Sequence, residues 1–211
     1  MIAALPTSVR LVLLLFLCAA MTSCGSTRKL RQQADAIVAR VELPAQKVEL
    51  RDLQRECHRL AQHRLPYVFG GESLGEGGMD CSGTIHHVLT RVGFRYVPRQ
   101  SNHQYHWLAK AGTLKKASRL DERTLRKMRP GDLMFWKGTY RTGKRWPNVS
   151  HVMIYMGRDP NTGKHWMFGG RGQSASGRNG GGVDFFSFSP REGGRRNSKF
   201  IGFGRVPGVK R

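Results

Sequence analysis

Two residues of this 211-residue chain can do covalent chemistry together, a cysteine at 81 and a histidine at 151. Cys81 stands in Met79-Asp80-Cys81-Ser82-Gly83, where the glycine-rich stretch Gly70 to Gly78 runs into an apolar, helix-forming segment. A cysteine at a helix start meets free backbone N–H groups and the positive end of the helix dipole. Both favour the thiolate, which is the nucleophile, over the thiol. His151 opens the strand-like run Val152 to Met156, so a general base is available from a separate element. For an isolated pair, a buried small cysteine and a solvated histidine would be the commoner reading. The flanking residues overturn it.

Those residues must be positioned by the elements around them. Helical spacing predicts helices over Glu49 to Arg64, Ser82 to Val92 and Asp121 to Met128. Apolar runs predict strands near Leu133 to Trp136, His151 to Met156, His165 to Phe168, Val183 to Phe188 and Phe200 to Arg205. Helices first and strands afterwards read as α+β, and roughly 160 residues suffice for one core rather than two domains. Asp80 sits where an N-cap would, able to accept from the first turn of the nucleophile helix. The glycines from Gly70 to Gly78 suit a loop that delivers the chain to a tight junction. Gly169 to Gly182, rich in Gly, Ser and Arg, reads as a loop beside the site.

Five stretches, in order and spacing, resemble the NlpC/P60 family of bacterial cell-wall cysteine peptidases. They are Pro66-Tyr67-Val68-Phe69-Gly70-Gly71, Asp80-Cys81-Ser82-Gly83, Pro98-Arg99-Gln100-Ser101 with Gln104, Pro130-Gly131-Asp132-Leu133, and Ser150-His151-Val152-Met153-Ile154-Tyr155-Met156-Gly157. A lone Asp-Cys-Ser-Gly would say little, but five ordered matches between roughly Leu50 and Val206 are specific. The resemblance implies a papain-like α+β fold, with N-terminal helices packed on an antiparallel sheet of five to six strands. It also implies hydrolysis of amide bonds in peptidoglycan stem peptides, with Cys81 as nucleophile and His151 as general base. Cleavage next to D-glutamate and a diamino acid is the family's habit. It further implies that the Tyr67 hydroxyl lies near the acyl intermediate as an oxyanion donor, plain packing being the alternative. Arg99 is a candidate partner for a substrate carboxylate, or else one half of an outward salt bridge.

At the third catalytic position the chain departs from the family. The strand after the base usually carries a His, Asn or Gln that accepts from the base's other ring nitrogen, and here that strand reads His165-Trp166-Met167-Phe168-Gly169-Gly170. The aligned residue is Phe168, which cannot accept a proton. His165 is polar, but the turn Arg158 to Lys164 puts it opposite Met156, roughly 17 Å along the strand from His151 at about 3.4 Å per residue. Ser174, Arg171, a backbone carbonyl or water are the other candidates, and the sequence does not choose among them.

The amino-terminal segment has Arg10 before an apolar run, Leu11 to Ala20, and then Met21-Thr22-Ser23-Cys24. It reads as a secretion leader. Thr22-Ser23-Cys24 resembles the lipobox of bacterial lipoproteins, so residues 1–23 are expected to be a signal peptide. Cys24 would carry the lipid, residues 24–47 would form a basic tether with a helix-capable stretch from Arg28 to Arg40 broken by Pro44, and residues 48–211 the catalytic domain. The expected location is the cell envelope, on the periplasmic face of the outer membrane. A soluble secreted protein cleaved nearby is the alternative.

Of the remaining cysteines, Cys18 leaves with the leader and Cys57 falls on the first predicted helix. Cys57 reads as a buried hydrophobe, with a Cys57–Cys81 disulfide as the alternative. The histidines do not pair with cysteines at zinc-ligand spacing, so no metal and no cofactor are expected. With 36 Lys+Arg against 14 Asp+Glu, the formal charge is +22. That favours anionic partners such as lipid headgroups or the carboxylates of the wall. The basic residues lack the spacing of a groove-reading helix, so nucleic acid is not expected, and the protein reads as a monomer. Two other classes stay open: an envelope lipoprotein that only binds anionic wall or lipid polymers, and a thiol amidase or acyltransferase with another substrate.

Overall fold

The computed structural model describes residues 25–172, 177–178, 182–190 and 198–210. The segment expected to be a leader lies outside the described residues, as do Cys18, Cys24, Ser174 and much of the loop expected before Gly182.

Apolar residues at helical spacing build the two helices that carry the site. In α2 (Leu50–Gln62) the buried positions are Leu53, Cys57, Leu60 and Ala61, one stripe at i, i+4, i+7 and i+8. In α3 (Cys81–Arg91) they include Cys81, Ile85, Val88 and Leu89. Both helices lie on the sheet face formed by Leu133, Phe135, Val152, Ile154 and Phe168. The opposite face, with Met134, Met153, Tyr155, Met167 and Phe186, is covered by Leu125 and Met128. Because both faces are buried, the central strands read as continuous apolar runs rather than alternating ones.

The sheet is antiparallel. Its strands are β4 (Leu114–Lys116), β5 (Asp132–Lys137), β6 (His151–Arg158), β7 (His165–Arg171), β8 (Gly182–Phe188) and β9 (Lys199–Arg205), in the spatial order β4-β9-β5-β6-β7-β8. The expected strands are all present, and the fold is the α+β, papain-like arrangement the sequence implied. β4 was not anticipated. It is an edge strand with two exposed lysines, a composition that discourages further strand pairing but carries no apolar pattern. The helix expected from Asp121 to Met128 is one turn, α5 (Glu122–Leu125), capped where Asp121 accepts from the Thr124 N–H at 2.9 Å.

α4 (Ser101–Lys110) was also not anticipated, because its buried face is polar: Ser101, Asn102, Gln104 and His106 accompany Trp107 and Leu108. Gln104 Nε2 donates to the carbonyls of Ser82 (3.0 Å) and Pro98 (2.8 Å), which ties α4 to the first turn of α3.

The segment read as a tether is folded. Residues 25–39 form a helix, α1, that buries Ala34 and Val38 one turn apart. Its Asp35 carboxylate accepts from His106 Nε2 at 2.8 Å and lies 3.4 Å from Lys110 Nζ, both on α4. Beyond α1, Glu42 bridges Arg95, and β1 (Val48–Glu49) pairs in parallel with β10 (Val209–Lys210). The folded unit therefore begins by residue 25 rather than 48. The helix itself agrees with the helix-capable stretch read from Arg28 to Arg40, but two buried small apolar residues in a strongly basic stretch are too weak a pattern to announce that it packs on the domain.

Candidate active site

Chain direction places Cys81. A short hairpin, β2 (Glu72–Ser73) with β3 (Gly78–Met79), brings the backbone back to Asp80, and α3 starts at the next residue. Asp80 caps that helix, its Oδ1 accepting from the Gly83 N–H at 2.7 Å and from Ser82 Oγ at 3.2 Å. The junction is closed by contacts that leave no room for a methyl group. A Cβ on Gly83 would lie 2.1 Å from the Gly71 carbonyl oxygen, and one on Gly170 of β7 would lie 2.8 Å from the Asp80 carbonyl. Gly83→Ala is accordingly expected to cost about 3 kcal/mol or more by overpacking, visible as a lower thermal midpoint.

Arg99 holds this junction from the other side. Its guanidinium donates to Asp80 Oδ1 and Oδ2 (both 3.0 Å), Ser82 Oγ (3.1 Å) and the Gly71 carbonyl (2.9 Å), and its Nε pairs with Glu72. All five N–H donors of the side chain are taken. With every donor taken, Arg99 fits the structural salt bridge read as its alternative role, turned inward to Asp80 as well as toward the more exposed Glu72, rather than a partner for a substrate carboxylate.

The Val152 backbone N–H is near enough to Cys81 to favour its thiolate, which places the thiol by the start of β6, where His151 is the preceding residue. Half-buried, His151 has the Trp136 ring 5.6 Å away on the neighbouring strand. Burial pushes its imidazole down to about 4, the Arg171 charge acts in the same direction, and Asp80 opposes them. Cys81 is buried, and burial, followed by the Asp80 carboxylate, pushes its thiol up to about 12. The N–H groups of Val152 and Ser82 and the Arg99 guanidinium pull the other way without prevailing. This reverses the expectation that the helix start would favour thiolate: desolvation outweighs the dipole. The resting pair is a neutral thiol with a neutral imidazole.

Tyr67, bridged to Met79, is partly buried. Burial and then the neighbouring Cys81 and Asp80 raise its phenol above the ordinary tyrosine value, so the hydroxyl keeps its proton as a donor. Among the described residues that hydroxyl has no hydrogen-bond partner.

The third position is apolar in space as well as in sequence. Phe168 pairs with Ile154, is fully buried and packs on Phe185 at 4.9 Å. His165 lies farther from His151 than expected: a register shift between Tyr155 and Gly157 pairs it with Arg158, seven residues along β6 from His151. Its Nδ1 hydrogen-bonds to the Tyr155 hydroxyl at 2.7 Å. His165 is thus not beside His151, and His165→Gln is expected to leave kcat/KM within about twofold while costing roughly 1 kcal/mol of stability. Continuing the β6–β7 register brings Arg171 opposite His151. A guanidinium has only donors and cannot accept from an imidazole N–H. Its effect is to keep the ring uncharged.

Cys57 is a free, fully buried thiol raised well above the ordinary cysteine value by burial, and Cys81 is likewise free. Cys81, the strand that bears His151, and Tyr67 thus lie at the places the sequence indicated. Arg171, one of the candidates named for the third position, does come to lie opposite His151, whereas Trp136 was not foreseen, its only signal being an aromatic at a strand end.

A search of curated proteins found no match. The model of the NlpC/P60 family, a family of cell-wall cysteine peptidases, matches residues 64–179, a span from the residues before Tyr67 to those beyond Arg171. That is more than half of the chain, and with the helix-borne cysteine, the strand-borne histidine and the antiparallel sheet already in place, the chain belongs to the NlpC/P60 family.

Proposed function

We propose that this protein is a peptidoglycan endopeptidase that cuts an amide bond in the stem peptide by thiol chemistry. The observation that carries the reading is the position of Cys81 Sγ, at the first turn of α3 and within reach of the Val152 N–H next to His151. His151 is neutral above about pH 4 and so is a competent proton acceptor at neutral pH. In the proposed reaction His151 takes the Cys81 proton as sulfur attacks the carbonyl carbon. The tetrahedral oxyanion is held by N–H groups at the helix start and by the Tyr67 hydroxyl. Collapse expels the amine, which takes the proton from His151, and water then releases the acyl group from sulfur by the same base.

Trp136, packed beside the imidazole, is assigned the orienting role that a polar third residue plays elsewhere in the family. The test uses synthetic stem peptides containing D-glutamate followed by a diamino acid, with products read by mass spectrometry. Cleavage next to D-glutamate supports the reading, and intact peptides under reducing conditions would refute it.

The location proposed for this activity is the periplasmic face of the outer membrane, through a lipid on Cys24. Accumulation of an unprocessed precursor when lipoprotein signal peptidase is inhibited by globomycin tests that anchor, and unchanged processing would remove it. Phe168 at the third position favours one other reading, a wall-binding lipoprotein without turnover. It predicts sedimentation with sacculi and no peptide product.

A further inference from the structure

Along the outer side of α2 runs a groove that the cysteine chemistry does not use. One hollow of about 320 Å³ is lined by His58, Arg64, Arg178 and Phe185, and it continues through three shared residues into a second of about 440 Å³. The second hollow reaches Arg158 at the end of β6 opposite His151, roughly 24 Å along the strand at about 3.4 Å per residue. These volumes are of ligand-pocket size.

The walls are cationic. Among the described residues, Arg64 and Arg178 have no carboxylate partner. Asp159, the single acid on the described walls, turns its Oδ1 to the backbone N–H groups of Asn161 (2.8 Å) and Thr162 (3.2 Å) in its own hairpin. Two further features fix the backbone from which the arginines project. Arg64 sits at φ +51°, a left-handed conformation unfavourable for a residue with a side chain, and its N–H is held by the Ala61 carbonyl at 3.1 Å. The Arg178 N–H is held by the Phe185 carbonyl at 2.9 Å. His58, whose ring lies 4.5 Å from that of Phe185, completes the hollow. Two guanidiniums and an imidazole line one hollow, His58 and Arg64 from α2 and its end and Arg178 from a separate segment, and these are the donor types that bind phosphate.

We propose that this hollow is a phosphate-binding site, separate from the Cys81 centre, that takes the phosphate of a membrane-lipid headgroup or of a free phosphorylated ligand. The full chain in mild detergent is titrated with inorganic phosphate, followed by the fluorescence of Trp166 in the adjoining hollow and by the thermal midpoint. Wild type is expected to show saturable binding. The exposed pair Arg64→Gln/Arg178→Gln should bind phosphate at least about tenfold more weakly, whereas the charge-matched pair Arg119→Gln/Lys127→Gln, elsewhere on the surface, should bind as wild type does.

Phosphatidylglycerol and phosphatidylcholine vesicles separate the sources. If the Arg64/Arg178 pair loses phosphatidylglycerol affinity along with phosphate, the ligand is a headgroup. If only phosphate affinity falls, it is a free phosphorylated molecule. Equal loss in both variant pairs, or no saturable binding by wild type, overturns the proposal. Stem-peptide hydrolysis by the Arg64/Arg178 pair should be unchanged, so this result is independent of the active-site reading.

Discussion

His151→Ala is expected to lower kcat/KM by about 10⁴-fold at pH 7 and to change the shape of its pH dependence. With the Cys81 thiol pushed up to about 12, only about one part in 10⁵ is thiolate at pH 7, and the attacking sulfur depends on a base to remove its proton. In wild type the base ionises near pH 4, so kcat/KM should rise through about pH 4 and then stay level across neutral pH. The sign follows from the neutral form being active: below the His151 value the ring is protonated and cannot accept. Without His151, residual activity should climb about tenfold per pH unit from pH 7 to 9, because free thiolate becomes the only nucleophile. Alkylation of Cys81 by iodoacetamide supplies an independent reading, slow at pH 7 and accelerating toward alkaline pH. An alkylation rate that is already maximal at pH 5 would show a thiolate–imidazolium pair and contradict this account.

Arg99→Met is expected to lower stability by about 3 kcal/mol, or about 6–12 °C in Tm for a chain of this size. Four hydrogen bonds and an ion pair end on this one guanidinium, and its removal leaves the Asp80 carboxylate, 11 % exposed, without its counter-charge at the start of the nucleophile helix. The value is set below that of a fully enclosed pair because the Arg99 side chain is 28 % exposed. Two controls make the cause visible. Arg55→Met breaks the Arg55–Asp52 pair on the open face of α2 and should cost under about 0.5 kcal/mol. Asp80→Asn added to Arg99→Met should recover part of the loss, because it removes the stranded charge while keeping an acceptor for the Gly83 N–H. If Arg99→Met and Arg55→Met proved equally mild, the clamp would have no structural weight.

What could be read from the sequence divides along a physical line. Cys81, His151 and the elements bearing them were legible because each rests on local pattern: a cap before a helix, glycines before the cap, an apolar run after a histidine. α4 was not, since a helix that buries Gln104 and Asn102 carries no apolar stripe, and its reason for being buried is the Gln104 bond to Ser82, far away in the chain. Arg99 could be placed in a motif but not turned inward, because its partners come from two other segments, Gly71-Glu72 and Asp80 to Ser82. The direction of the Cys81 shift was misjudged for a related reason. The helix start is visible in sequence and favours thiolate, whereas the burial that overrides it is a property of the assembled core. His165 shows the limit of register counting, since one irregularity between Tyr155 and Gly157 moved its partner from Met156 to Arg158.

The most direct test of the central claim is digestion of purified sacculi by the wild-type chain and by Cys81→Ala under reducing conditions, with the released muropeptides identified by mass spectrometry. The account predicts new stem-peptide fragments, cut at one amide bond, from wild type alone. Fragments from both proteins, or sacculi bound but left intact by both, would contradict it.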